Sequence, residues 1–146
     1  MQSLAILGGT GALGGALAKR LTAIGREVHI GSRDPAKAQA FAAELRRDHP
    51  DAQVTGSGLR EAAARADIVF LTVPYAAHAD TLKQVLEEVQ GKVVVDATVP
   101  LRPPKVGLVQ LPPAGCAAVE AAQLLGPGVK VVSALQNIGA EKLGSG

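Results

Sequence analysis

The sequence predicts an α/β fold, a doubly wound parallel sheet of about six strands with helices on both faces. Three observations predict it. Short apolar runs alternate with helix-period stretches along almost the whole chain, the pattern of βαβ units joined by right-handed crossovers. The first apolar run stops at a glycine loop that opens a helix. Of the 146 residues, 47% are hydrophobic but only 2% aromatic, so the core is built from Ala, Val, Leu and Ile, as in strands buried on both faces.

Each element has its own signal. Leu4–Leu7 is a short apolar run ending at Gly8. Leu13, Leu17, Leu21 and Ile24 then share one face of a helix that Gly25 ends. "EVHIGS" reads as the second strand. Asp34 as N-cap and Pro35 at the first helical position open an Ala-rich helix through about Arg47. "AQVTG" is a weaker third strand and Leu59–Arg65 a short helix. "DIVFLTVP" from Asp67 is an apolar strand closed by Pro74, followed by a helix over His78–Val89 with Leu82, Val85, Leu86 and Val89 at core spacing. "KVVVDATVP" from Lys92 is the fifth strand. A Pro-rich irregular stretch leads to a helix at Ala117–Leu125 and a sixth strand, "VKVVSAL", from Val129. Residues 1–143 form one domain on this reading, and Gly144–Gly146 are set apart as a linker or cloning remnant.

Composition narrows the function. A net charge of +2, scattered cations and few aromatics for base stacking argue against nucleic acid as a partner. A single cysteine, Cys116, cannot form an internal disulfide, and no Cys/His cluster has zinc-ligand spacing. These point to a reducing compartment and no metal. Cys116 has no partner base and reads as inert; His29 and His49 read as structural or solvent-facing. The N-terminal stretch has neither a basic region nor a long apolar run, so no signal peptide, no membrane partner and a cytoplasmic location are expected.

The chemistry concentrates where strands end. Gly9-Thr10-Gly11-Ala12-Leu13-Gly14 is G-x-G-x-x-G between a strand and a helix. Gly9 is expected to make the tight turn, Gly11 to let a pyrophosphate approach the backbone, and Gly14 to let helix and strand pack closely. The helix N-terminus supplies free N–H groups. A purely structural glycine turn is the alternative. At the end of the second strand a binder of NAD usually carries an acid for the ribose 2′-hydroxyl. This chain has Ser32-Arg33 there, with Lys37 one turn further, a set suited to the 2′-phosphate of NADP(H). Surface charge is the alternative reading of Arg33 and Lys37. Asp34 follows the arginine and reads as a helix cap. Thr72, Val73, Pro74 and Tyr75, with His78 close behind and Thr98 and Pro100 after the fifth strand, are expected to line the ribose–nicotinamide half of the groove. Tyr75 and His78 are acids by type, but an aromatic lid and a helix-cap histidine are the plainer readings. No catalytic dyad is evident.

"LGGTGALGGALAKRL", "IGSRDPAKA", "DIVFLTVPYAAHADTL", "KVVVDATVPL" and "VVSALQNIGAEKL" together resemble the F420-dependent NADP reductases, from about Ala5 to Leu143. The resemblance implies a Rossmann-type NADP-binding domain and direct hydride transfer between NADP(H) and coenzyme F420, with no acid–base residue required. By position it implies phosphate contacts at Thr10, Ser32, Arg33 and Lys37. It places Val73, Pro74 and Tyr75 beside the nicotinamide, where the family often has Trp in place of Tyr75. Gln136 and Asn137 fall beside the deazaflavin. Members continue into a helical domain that dimerises and closes over the deazaflavin. The expectation is therefore an NADP-binding domain, monomeric or weakly dimeric, with weak or no turnover by itself. A non-catalytic NADP-binding or sensing module, or an NADPH-dependent reductase of an imine, ketone or ferric acceptor, are the alternatives.

Overall fold

The structure, a computed structural model, describes residues 1–99 and 113–145. Strands and helices alternate in the order β1 Leu4–Leu7, α1 Ala12–Ala23, β2 Val28–Ser32, α2 Pro35–Asp48, β3 Val54–Gly58, α3 Leu59–Arg65, β4 Ile68–Leu71, α4 Tyr75–Gln84, β5 Val93–Asp96, α5 Ala117–Leu125, β6 Lys130–Ser133 and α6 Ala140–Gly144. All neighbouring strands pair in parallel, in the order β3-β2-β1-β4-β5-β6. This is the Rossmann order, with the direction of winding reversing at β1.

Strand side chains alternate between two buried layers. Ala5, Leu7, Val69, Leu71 and Val94 pack with Leu59 and Ala62 of α3, Leu82 of α4 and Leu125 of α5. Ile6, Val28 and Ile30 face the other way, onto Leu17 of α1 and Ala38, Ala42 and Leu45 of α2. Burying a side chain such as Ile6, which is 0% exposed, contributes about 1.5–3 kcal/mol relative to leaving it in water. Alanine suits α2 because the helix lies directly on the sheet. A methyl built on Gly56 of β3 stands 2.1 Å from the Ala38 carbonyl oxygen.

Register levels the carboxyl ends of the strands. Leu7 pairs with both Gly31 and Leu71, Leu71 with Asp96, and Asp96 with Ser133. The next residues along each chain therefore form one row at the edge of the sheet, where ligands of such folds bind.

The structure departs from the sequence reading in several places. β3 begins at Val54 rather than Ala52, because pairing with Val28–Ser32 sets its bounds. α4 runs over Tyr75–Gln84 rather than His78–Val89, starting one turn earlier and ending five residues sooner, with Pro74 as its N-cap residue. Ile24 and Leu86, expected on core faces, are 65% and 38% exposed. α6 was not foreseen; it packs on α1 and reaches Gly144, one residue into the stretch set apart as a linker. Among the described residues no helix is long and apolar enough to cross a membrane.

Candidate functional site

The glycine loop turns on Gly8, not Gly9. Gly8 has φ +84°, a left-handed conformation that L side chains rarely adopt. The N–H groups of Gly8 and Gly9 both donate to the Gly31 carbonyl, at 2.9 and 3.3 Å, which ties the loop to β2. Gly9 is needed for space instead. A methyl there stands 2.8 Å from Ile30 Cγ2 and 3.0 Å from the Ile6 carbonyl oxygen. Gly14 matches expectation, since a methyl would lie 2.4 Å from both the Gly8 carbonyl oxygen and Thr72 Oγ1. Gly11 is the N-cap residue of α1, which has no side-chain cap and no acidic residue in its first turn. Its first N–H groups and the positive end of its dipole thus fit an anion.

Where β1 and β2 end, Thr10, Gly11, Ser32 and Arg33 line one cavity of about 160 Å³ with Thr72 and Val73. Arg33 also borders two neighbouring cavities. One, of about 440 Å³, includes Gln39, Ser57 and Arg60; the other, of about 280 Å³, includes Pro74, Ala77 and Gln84. Ser32 is buried, and its Oγ accepts the Asp34 N–H at 3.1 Å, leaving the hydroxyl proton available to donate. Asp34 is the cap foreseen: its carboxylate accepts from the N–H groups of Ala36 at 3.1 Å and Lys37 at 3.4 Å. Lys37 is exposed on the first turn of α2. Ala12 is exposed and Leu13 half-buried at the start of α1.

At the other end, the Thr72 N–H and hydroxyl both donate to the Leu7 carbonyl at 2.9 Å, joining the ends of β1 and β4. Val73 packs against the core and Pro74 is exposed. Tyr75 donates its hydroxyl to Glu120 of α5 at 2.9 Å, and its ring stacks on the His78 imidazole with centroids 5.8 Å apart. His78 does not line the groove as expected. With α4 starting at Tyr75, its fourth residue faces the sheet, where His78 is 0% exposed and pairs with Asp96, Nε2 to Oδ2, at 2.7 Å. Thr98 is buried, with its N–H donating to Asp96 Oδ1 at 2.9 Å. Gln136 donates from Nε2 to the Asp96 carbonyl and to Ser133 Oγ, each at 2.8 Å. Asn137 is exposed beside it. Pro100 lies outside the described residues.

Gly8 and Asp96 were missed as site residues. The doubled glycine "GG" was one available signal, and a lone acid ending the apolar run "VVVD" was the other. A cavity of about 520 Å³ lies to one side, between Thr10, Gly11 and Lys19 on the α1 side and Glu141 and Ser145 on the α6 side. It adjoins the glycine loop rather than the strand ends. Among the described residues no group of three or more His, Cys, Asp or Glu is placed to hold a metal ion.

Known proteins place this geometry in context. A family model described as NADP oxidoreductase, coenzyme F420-dependent, matches residues 3–100. An F420-dependent NADP reductase of Methanothermobacter marburgensis is 42% identical over 97% of this chain and 66% of its own length. Its counterpart in Methanothermobacter thermautotrophicus is 39% identical over 98% of this chain and 64% of its own length. The chain thus spans about two thirds of the length of the curated relatives it matches. A solved pyrroline-5-carboxylate reductase from Coxiella burnetii superposes with a TM-score of 0.65 at 16% identity, covering 92% of this chain and 43% of that one, a likeness of fold alone.

Proposed function

The chain belongs to the coenzyme F420-dependent NADP oxidoreductase family, and from that premise we propose that it carries the NADP(H)-binding domain of an enzyme passing hydride between NADP(H) and coenzyme F420. One observation carries the cofactor half. Thr10, Ser32 and Arg33, from two different βα junctions, converge on a single cavity beside the uncapped N-terminus of α1.

The residues divide the work. α1 and Gly11 receive the pyrophosphate on main-chain N–H groups. Ser32 donates a hydroxyl proton to the 2′-phosphate, and Arg33 pairs with it through charge-assisted hydrogen bonds. Lys37 adds a second cation from the next turn, at longer range and screened by solvent. Val73 and Pro74 form the wall of the nicotinamide half, with Thr98, Gln136 and Asn137 at the ends of β5 and β6. When bound, the cofactors supply the chemistry: NADPH, F420 and a proton interconvert with NADP⁺ and reduced F420. The protein holds the rings in register and keeps water out, which lowers the barrier without an acid or base of its own. A reducing, cytoplasmic setting goes with this reading.

Calorimetric titration with NADPH and NADH at one fixed salt concentration tests the proposal. The expected result is tighter binding of NADPH. Loss of the Arg33 guanidinium in Arg33→Ala removes about 1.5–3 kcal/mol, a roughly 10- to 150-fold weakening for NADPH, with NADH affected far less. Equal affinity for both nucleotides, or binding of neither, overturns the assignment. Absorbance of F420 mixed with NADPH tests the acceptor half in the same preparation: weak or no turnover is expected of this chain by itself, and turnover comparable with ordinary dehydrogenases overturns that expectation.

A further inference from the structure

Beneath the nicotinamide end of the groove lies an ionisable pair that hydride transfer does not use. His78 and Asp96 are each 0% exposed, with Nε2 standing 2.7 Å from Oδ2. Such a pair is costly to desolvate, and apolar side chains often fasten a helix to a sheet equally well. Leu82 and Val85, buried on the same side of this segment, already pack there.

The bonding around Asp96 indicates what the pair holds. Its Oδ1 accepts the Thr98 N–H at 2.9 Å, and its carbonyl accepts from the Ala134 N–H at 3.2 Å and from Gln136 Nε2 at 2.8 Å. One residue therefore joins α4, the chain leaving β5 and the chain leaving β6. The third of these is strained, since Leu135 has φ +72°, uncommon for a bulky residue. Packing of Leu135 against the core layer of α1 and α2 holds it there. Two buried polar atoms around Asp96, His78 Nδ1 and Thr98 Oγ1, have no hydrogen-bond partner among the described residues. Buried polar atoms are seldom left in that state.

We propose that the His78–Asp96 pair is a positioning device for the nicotinamide–ribose half of the cofactor. His78 sets the rotation of the Asp96 carboxylate, the carboxylate sets the main chain at Thr98, and Thr98 Oγ1 is thereby presented for a polar contact with the bound cofactor. The pair itself touches no cofactor. The adenosine half, held at Thr10, Ser32 and Arg33, is independent of it. This proposal rests on the NADP(H) reading above.

Calorimetry with two ligands separates the cases: NADPH, and adenosine 2′,5′-bisphosphate, which carries the adenosine half alone. His78→Leu removes the donor to Asp96, while His78→Gln keeps an N–H near the position of Nε2. In His78→Leu the NADPH dissociation constant is expected to rise about tenfold while that of the bisphosphate stays within about twofold, as for one misplaced hydrogen-bonding group. His78→Gln is expected to restore most of the loss. Unchanged NADPH affinity in His78→Leu, or equal weakening of both ligands, overturns the proposal and leaves the pair a structural one. If His78→Leu does not fold, Thr98→Val carries the test. Deleting an unpartnered buried hydroxyl leaves the melting temperature level or higher, yet NADPH alone is expected to weaken; unchanged NADPH binding overturns the proposal. Wild-type protein that binds neither ligand refutes the NADP(H) reading and this proposal with it. Binding by the wild type with no selective effect in the variants refutes this proposal alone.

Discussion

Adjacent glycines in α1 allow the close approach of helix and strand to be measured by itself. Gly14 and Gly15 are both buried and both helical, so replacing either with alanine brings the same gain in helix propensity, about 1 kcal/mol. What differs is the space. At Gly15 the nearest atoms to a new methyl are the Gly9 carbonyl oxygen at 3.6 Å and Phe41 Cζ at 3.7 Å, ordinary contacts. At Gly14 the Gly8 carbonyl oxygen and Thr72 Oγ1 are both 2.4 Å away and Gly9 Cα is 2.9 Å away. None can yield cheaply. The Gly8 carbonyl accepts the Gly11 N–H at 3.0 Å, and the Thr72 hydroxyl is bonded to Leu7 at 2.9 Å. Overpacking of this kind costs about 1–3 kcal/mol, and two contacts at that distance place Gly14→Ala at the upper end. Because the propensity terms cancel, the two variants should differ by about 3 kcal/mol, or about 6–12 °C in melting temperature for a domain of this size. Differential scanning calorimetry reads this directly, with Gly15→Ala at or above wild type. Gly14→Ala melting as high as Gly15→Ala would refute the idea that the third motif glycine is there for packing.

Two further perturbations probe the fold around the site. Burial holds the His29 imidazole below its ordinary range, partly opposed by the Glu27 carboxylate 3.2 Å from Nε2. The unfolded chain therefore takes up the proton more readily, so the stability tied to neutral His29 is complete above about pH 6.5 and is lost as pH falls below it. The melting temperature should decline as pH falls below about 6.5, and His29→Asn, which can keep a partner for the Thr55 hydroxyl 2.7 Å from Nδ1, should flatten that decline; an equal decline in the variant would exclude His29 as its source. Asp34→Ala should lower stability by about 1 kcal/mol in urea denaturation, the usual loss for an N-cap. It should leave NADPH binding in place, since the carboxylate is occupied by α2; a collapse of NADPH affinity would show that it faces the cofactor instead.

Elements whose signals are local were legible in the chain. The bounds of α3 and α5 were read without error, because apolar spacing and the residues flanking each helix specify them over a few neighbouring positions. Asp34 was read as a cap for the same reason: the bonds that make it one reach only two and three residues ahead. Ser32 and Arg33 were legible as a pair because the strand that ends there is unmistakable. Whether they meet Thr10 is a different matter, decided by the pairing of β1 with β2, which brings Leu7 level with Gly31.

The misreadings have a common cause. β3 was placed two residues early because its composition is weak, and its true bounds come from its neighbour in the sheet. His78 was assigned to the groove because it lies near Pro74 in sequence. A start of α4 at Tyr75 turns it inward, and Asp96, eighteen residues away, takes up its Nε2. α6 is five residues long, too short to show a period, and exists by packing on α1.

The sequence by itself determined the Rossmann class, the glycine loop, the Ser32-Arg33 pair at the end of β2 and the family resemblance, since each depends on residue type and short-range spacing that survive without a partner. Only the tertiary structure decided which glycine turns the loop, that His78 is buried against the sheet, and that Asp96 ties three segments together beneath the groove. Those outcomes depend on distances between residues far apart in the chain, and such distances exist only once parallel strands have paired and two layers of helix have closed on the sheet.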